Sequence, residues 1–452
     1  MTKISIRLTN VLIATVIVLV PFYAFLTVWA SSLVGHFTLL RLWDDILLLI
    51  LVCVVGTWII SNKQLRQLLF NSLLFRLIVA YVLITLTFGV ISLTKHEVTL
   101  KALSYAVLVN LRFLIWFLAV WMVSIKSSWL DKKWRKLIFW PLAVVAVFAL
   151  LQFFILPHNF LTHFGYRKGT TFVPIITINQ NTNTIRVQSF LRGTNPFGAY
   201  LVAMLGLLVA CVAVTWRRCW QYLLLVALAI GALILSFSRS AWIGSFVAIV
   251  VAAWLSLRNH RTKLRFVVVA SVAVLILAIG AVLFQHNNGV QDALFHVSPG
   301  STAQVTSNAG HASSLRSGLH DLLHQPFGRG PGTAGPASRY NAPHAPRNTE
   351  SYFLEIAEEL GWIGLVLFAS INIVLGYELW KRRTNPLALG LLASLIGLTI
   401  VNQFTYAWSD DTLAFVWWGL AGIALASTVK PHKAVLKIDQ DQKVKNHKSP
   451  VA

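Results

Sequence analysis

Glu350-Ser-Tyr-Phe-Leu-Glu-Ile-Ala-Glu-Glu-Leu-Gly-Trp-Ile-Gly364 is where a polar segment runs into an apolar one. Before it, from Gln285, lies a loop rich in His, Arg, Gly and Pro. After it, residues 358–378 read as a helix of membrane-spanning length. Most of the remaining chain repeats that apolar pattern. Of 452 residues, 57% are hydrophobic and 12% charged, whereas a soluble domain carries about 25% charged residues. Mean hydropathy is +0.70. The fold class is therefore an all-α integral membrane protein. A mostly lipid-facing chain that keeps one long polar loop is expected to work through that loop.

Outward from this junction, the apolar runs place about twelve transmembrane helices. They fall at roughly 9–31, 43–60, 70–93, 103–125, 137–156, 196–215, 219–236, 240–257, 266–284, 358–378, 386–405 and 411–428. The first run, Val11 to Leu33, is too long for a signal-peptide core and lacks a small-residue cleavage site, so no cleavable signal is expected. Four regions follow: 1–195 with five helices and a first outer loop; 196–378 with the long loop 285–357 between spans nine and ten; 379–429 with the last helices; and 430–452, a Lys-rich tail expected to be disordered. Ser313 to Gln325 reads as a short amphipathic helix within the long loop.

The formal net charge of +23 would suggest nucleic acid in a soluble protein. Here most of the 38 basic residues sit on alternate connections, including Lys3, Arg66, Lys132, Arg261, Lys381 and the tail. By the positive-inside rule those connections are cytoplasmic, both termini are inside, and no nucleic acid is implied. The two long connections then face outward, yet they too are basic. The first holds Arg167, Lys168, Arg186 and Arg192 without Asp or Glu. The second holds Arg316, Arg329, Arg339 and Arg347 against Asp292, Asp321 and Glu350. Outward arginines point to an anionic ligand on that face. The three cysteines, Cys53, Cys211 and Cys219, lie in or beside apolar helices and suggest neither a disulfide framework nor a metal site.

Arg239 stands in Ser236-Phe-Ser-Arg-Ser-Ala-Trp242, at the outer junction of two apolar runs, where a charge is costly unless paired or hydrated. Its guanidinium fork suits phosphate oxygens, although an interfacial anchor beside Trp242 reads the same way. Arg316 and Arg192 are weaker candidates of the same kind, and Arg112 either lines the bundle interior or snorkels outward. Glu350 is a partner for nearby arginines, a base, or a helix-start carboxylate favoured by the helix dipole. Glu355, Glu358 and Glu359 read as the solvated face of the following helix. His320 and His324 have chelating spacing but no third ligand, so the loop histidines read as surface residues. His344 is a second acid–base candidate. The turn Gly328-Arg-Gly-Pro-Gly332 is either an anion-binding nest or only a turn.

Three segments, in this order, resemble the O-antigen ligases and related Wzy-type polysaccharide polymerases of the bacterial envelope. They are Leu235-Ser-Phe-Ser-Arg-Ser-Ala-Trp-Ile-Gly244, Arg316 with Pro326-Phe-Gly-Arg-Gly-Pro-Gly-Thr333, and Tyr352 to Gly364; Asn195-Pro-Phe-Gly198 adds a weaker match. Together they cover about residues 200–370, and the flanks match only as hydrophobic spans. The resemblance implies a metal-independent membrane glycosyltransferase without cofactor. It would move a glycan from an undecaprenyl-diphosphate carrier to an acceptor hydroxyl at the outer face of the cytoplasmic membrane. It implies that Arg239 and Arg316 hold the diphosphate and stabilise it as leaving group, and Arg192, at the outer start of a span, is a further candidate for binding it. Where the ligases place a basic His near the end of the loop, alignment on Leu360-Gly361 puts Glu350. A carboxylate can fill that role when desolvated, and a polymerase or a ligase with another acceptor fits equally. The alternative is a flippase or transporter of a lipid-linked or anionic substrate, which requires charge along a transmembrane path rather than on one face.

Overall fold

The computed structural model describes residues 3–168, 172–178, 181–214, 219–257, 307–342, 344–347 and 349–427, with isolated positions at 261–262, 283 and 291. Nearly all of the expected span 266–284 and of the loop from 285 to 306, and the tail 430–452, lie outside the described residues.

Helices begin where the apolar runs begin, and several are opened by side-chain caps. The first run is two helices, α1 (Lys3–Leu19) and α2 (Tyr23–Val34), joined by a 3-10 turn containing Pro21. A short α3 (Phe37–Leu40) leads into α4 (Trp43–Ser61), α5 (Lys63–Asn71), α6 (Leu73–Thr94), α7 (Leu100–Lys126) and α8 (Trp129–Phe154). The side chains of Ser72 and Thr99 accept from the first turns of α6 and α7. Next come α9 (Thr194–Val214), α10 (Cys219–Leu235) and α11 (Arg239–Ser256). After the undescribed stretch follow α12 (Ser307–His324), α13 (Tyr352–Lys381), α14 (Pro386–Val401) and α15 (Asp411–Ala426). Eight helical segments among the described residues are long and apolar enough to cross a membrane, and α10, α14 and α15 are shorter apolar helices. The chain is thus a mostly helical integral membrane protein.

Three features differ from the sequence expectation. The first outer loop is not featureless: β1 (Ile176–Ile178) and β2 (Asn181–Arg186) form an antiparallel pair with Ile176 opposite Arg186. The amphipathic helix predicted from Ser313 begins six residues earlier, at Ser307. Helix α13 starts at Tyr352, before the apolar run, and breaks at Gly361, whose φ of 62° only glycine adopts without strain.

Helices α9, α11 and α14 form one tightly packed group. Gly244 faces Gly397 so closely that a Cβ on Gly244 would lie 2.8 Å from the Gly397 carbonyl oxygen. Small residues allow this approach, the usual way apolar helices associate in lipid. A second pair, α7 and α15, is pinned where the Trp116 indole N–H donates to the Phe415 carbonyl at 2.8 Å. The connections predicted to face outward meet one another at one end of the bundle. Thr99 Oγ1 donates to the Tyr340 carbonyl, Arg186 reaches Ser236, and the Tyr352 N–H donates to the Asn402 carbonyl. At the opposite end, Asn10 meets Ser127 and Asn385 meets Ser427.

Candidate active site

The packing of α9, α11 and α14 brings their ends together at the loop-bearing end of the bundle. A cavity of about 360 Å³ opens there, lined by Arg186, Asn195, Ser238, Arg239, Asn308 and His311 among others. Arg239 is the first residue of α11, so its side chain leaves the apolar helix at the boundary and points into the cavity. It donates from Nη2 to Asn308 Oδ1 at 2.7 Å. Arg186, at the end of β2, donates from Nε to the Ser236 carbonyl at 3.0 Å and from Nη2 to Asn195 Oδ1 at 2.9 Å. Burial, together with the neighbouring positive charge of Arg239, lowers Arg186 to about 10. Two guanidiniums that line one cavity repel each other, and an anion between them would relieve that repulsion.

A second cavity, of about 230 Å³, is lined by Arg192, Arg339, Glu350 and Tyr406 and shares Asn195, His311, Phe404 and Thr405 with the first. His311, on the first turns of α12, is paired with the Glu350 carboxylate. Glu350 is held in the left-handed region at φ 49°, uncommon for a residue with a side chain. Its N–H donates to the Tyr406 hydroxyl at 2.8 Å, and burial raises the Tyr406 phenol above its ordinary range. Arg192 meets Asp410 at 3.4 Å. The two cavities form one site with a pair of arginines at one end, a carboxylate–imidazole pair at the middle, and Arg192 and Arg339 beyond.

The site thus joins Arg239, Arg192 and Glu350 and leaves the other two expected residues apart. Arg316 is exposed on α12 and lines neither cavity. His344 lines a separate cavity of about 620 Å³ with Glu97, Arg329 and Arg347. Arg186 and His311 were visible in the sequence only as members of a basic loop and a histidine-rich one. Their significance lies in contacts between segments distant in the chain.

Glu355, Glu358 and Glu359 are not a solvated face; all three are buried. The glycine-rich turn packs over them. The Gly332 N–H donates to Glu359 Oε1 at 2.7 Å, and the N–H groups of Arg329 and Gly330 donate to the Glu358 and Glu359 carbonyls. The turn does bind a carboxylate, but the protein supplies it. Arg347 bridges Asp321 and Glu358, and Arg329 meets Asp321 at 3.3 Å. Arg112 does not snorkel. It is buried between Asp45, at 3.4 Å, and Asp411. His320 and His324 stack at 4.0 Å on an exposed face.

Residues 223–369 match the family model described as O-Antigen ligase. No curated protein matches the chain. The matched stretch includes Arg239, His311, Arg316, Glu350 and the glycine-rich turn, whereas Arg186, Arg192 and Tyr406 reach the site from outside it. Over residues 223–369, then, the chain carries the sequence pattern of the O-antigen ligase family.

Proposed function

We propose that the protein transfers a glycan from an undecaprenyl-diphosphate carrier to an acceptor hydroxyl, at the outer face of the cytoplasmic membrane. The observation that carries this reading is the single continuous site in which paired guanidiniums lead, through His311, to Glu350. Arg186 and Arg239 hold the diphosphate. The acceptor oxygen attacks the anomeric carbon, the carbon–oxygen bond to the diphosphate breaks, and the departing negative charge develops beside positive charge already in place. The acceptor's proton passes to the Glu350–His311 pair, a carboxylate orienting an imidazole at the point where the two cavities meet. Arg316, exposed on α12, is assigned to the carrier's approach rather than to the leaving group. Metal and cofactor have no part in these steps.

The test is transfer from purified carrier-linked glycan in reconstituted membranes. Arg239→Ala is expected to lower turnover by about a hundredfold or more, the usual cost of one positioned charge-stabilising donor. Glu350→Gln and His311→Ala are each expected to lose about a hundredfold or more, as for a general base. His344→Ala, in a different cavity, should stay near wild type. Normal transfer by Arg239→Ala would defeat the leaving-group assignment. Normal transfer by both Glu350→Gln and His311→Ala would place the base elsewhere. In cells lacking the protein, accumulated long carrier-linked chains mark a ligase and single repeat units mark a polymerase.

A further inference from the structure

Behind the 3-10 turn Gly335–Tyr340 lies another cavity, of about 410 Å³. The turn forms a partition. Arg339 lines the Glu350 cavity, and its neighbour Tyr340 lines this one. Asp410 and Asp411 are divided in the same way. Asp410 pairs with Arg192 of the candidate active site, and Asp411 pairs with Arg112 of the rear cavity. The turn is fixed to the start of α7 by Thr99 Oγ1 donating to the Tyr340 carbonyl at 2.8 Å and Asn341 Nδ2 donating to the Glu97 carbonyl at 3.0 Å.

The rear cavity has three chemically distinct walls. Three cations line it, and one of them, Arg112, is paired with Asp45, which lines it as well; the other two are Arg41 and Lys101. Arg41 donates from Nη2 to the Tyr105 hydroxyl at 3.0 Å and lies over that ring, and the Lys101 ammonium is 4.9 Å from the Tyr340 ring centroid. Among the described residues neither Arg41 nor Lys101 has a carboxylate at ion-pair distance; the Asp45 carboxylate in the same lining pairs with Arg112. The second wall is aromatic: Tyr105 and Tyr340 lie 5.1 Å apart, tilted by 57°. The third is apolar, from Phe37, Leu42, Leu108 and Val109, and Leu108 is exposed. Positive charge next to an aromatic face and an opening of leucines matches a molecule carrying phosphate, a sugar ring and a hydrocarbon tail.

We infer that the rear cavity is a second anion-binding site, which takes the phosphate of a lipid-anchored sugar entering from the bilayer. Arg41 and Lys101 hold the phosphate, the two tyrosines pack against the ring, and the leucines admit the tail. The inference rests on the transferase reading only in making that lipid the acceptor, held across the partition from the carrier.

Binding is measured first, without any transfer. Dioleoyl phosphatidic acid is the probe, dioleoylglycerol its phosphate-free control, and native mass spectrometry of the purified full chain counts retained lipid. The wild type is expected to retain phosphatidic acid in preference to dioleoylglycerol. Arg41→Gln with Lys101→Gln should reduce that retention by about tenfold, and Lys63→Gln with Arg66→Gln, on α5 beyond the far end of α4, should leave it unchanged. Arg41→Lys, which keeps the charge, should retain most of it, and monodisperse elution of every variant shows that each folds. Equal retention by the Arg41/Lys101 double variant overturns the site, as does equal retention of the two lipids. If inorganic phosphate alone protects the wild type against heat, and the double variant loses that protection, the anion is free phosphate and the lipid assignment is overturned. In the transfer assay the double variant should raise KM for the acceptor and leave KM for the carrier unchanged. A wild type that binds phosphatidic acid through Arg41 and Lys101 but transfers nothing defeats the transferase reading and leaves the site standing.

Discussion

Single residues in this protein are read correctly only with their partners. Arg112 shows why. A guanidinium deep in an apolar helix suggests a path for anions or a snorkelling anchor, but here two carboxylates from other helices, Asp45 and Asp411, close around it. Removing one member of such a pair strands the other charges in a medium that solvates them poorly. Arg112→Leu is therefore expected to destabilise the protein by roughly 3–5 kcal/mol. Adding Asp411→Leu should recover much of the loss, since the two side chains are then apolar together. Thermal unfolding in detergent reads both. If Arg112→Leu alone leaves the transition where it was, the pair carries no structural weight. Arg239 offers the contrast. Its place, the first residue of a helix between two apolar runs, was legible because a charge at that boundary needs a reason. His311 was not legible: one histidine in a histidine-rich loop acquires meaning only from the distant Glu350 that meets it.

Among the elements, the break in α13 does the most to place the site. Upstream of Gly361 the helix carries Glu355, Glu358 and Glu359 into the protein; downstream it becomes a lipid-facing span. The acidic spacing is a true amphipathic pattern, and so it read as a water-facing surface. Periodicity reports which residues share a face, not what covers that face. Here the cover is the turn Gly328 to Gly332, whose N–H groups take the place of water. The turn fits because Gly361 adopts φ 62° and lets the Trp362 N–H reach the Pro326 carbonyl at 3.0 Å. A Cβ at Gly361 would collide with that same carbonyl. Gly361→Ala is expected to cost at least about 1–2 kcal/mol from the backbone alone. It should also release the turn, so amide hydrogen exchange at Arg329, Gly330 and Gly332 should speed up while α9 and α15 stay protected. Unchanged exchange at those three amides would separate the kink from the turn. The short β1–β2 pair escaped the sequence reading for a different reason. Three- and six-residue strands leave too little alternation to distinguish them from loop.

At the scale of the whole molecule, positive charge lies at both ends, for two different reasons. At one end, Lys63, Arg66, Lys381, Arg382 and Arg383 cluster on short connections, the arrangement that keeps loops in the cytoplasm. At the other, Arg186, Arg192, Arg239 and Arg339 converge on cavities, joined by hydrogen bonds and ion pairs between connections that are far apart in sequence. Composition alone merges these populations into a net charge of +23; the fold separates them. The proposed transfer requires that the second end face outward. In a chain with Cys53, Cys211 and Cys219 replaced by Ala, a single cysteine at Ser313, exposed on α12, should react in intact cells with a membrane-impermeant maleimide. A single cysteine at Lys63 should react only after permeabilisation. The reverse pattern would put Arg239, His311 and Glu350 in the cytosol with the rest of that end, and no rearrangement of loops could then return the site to its substrates.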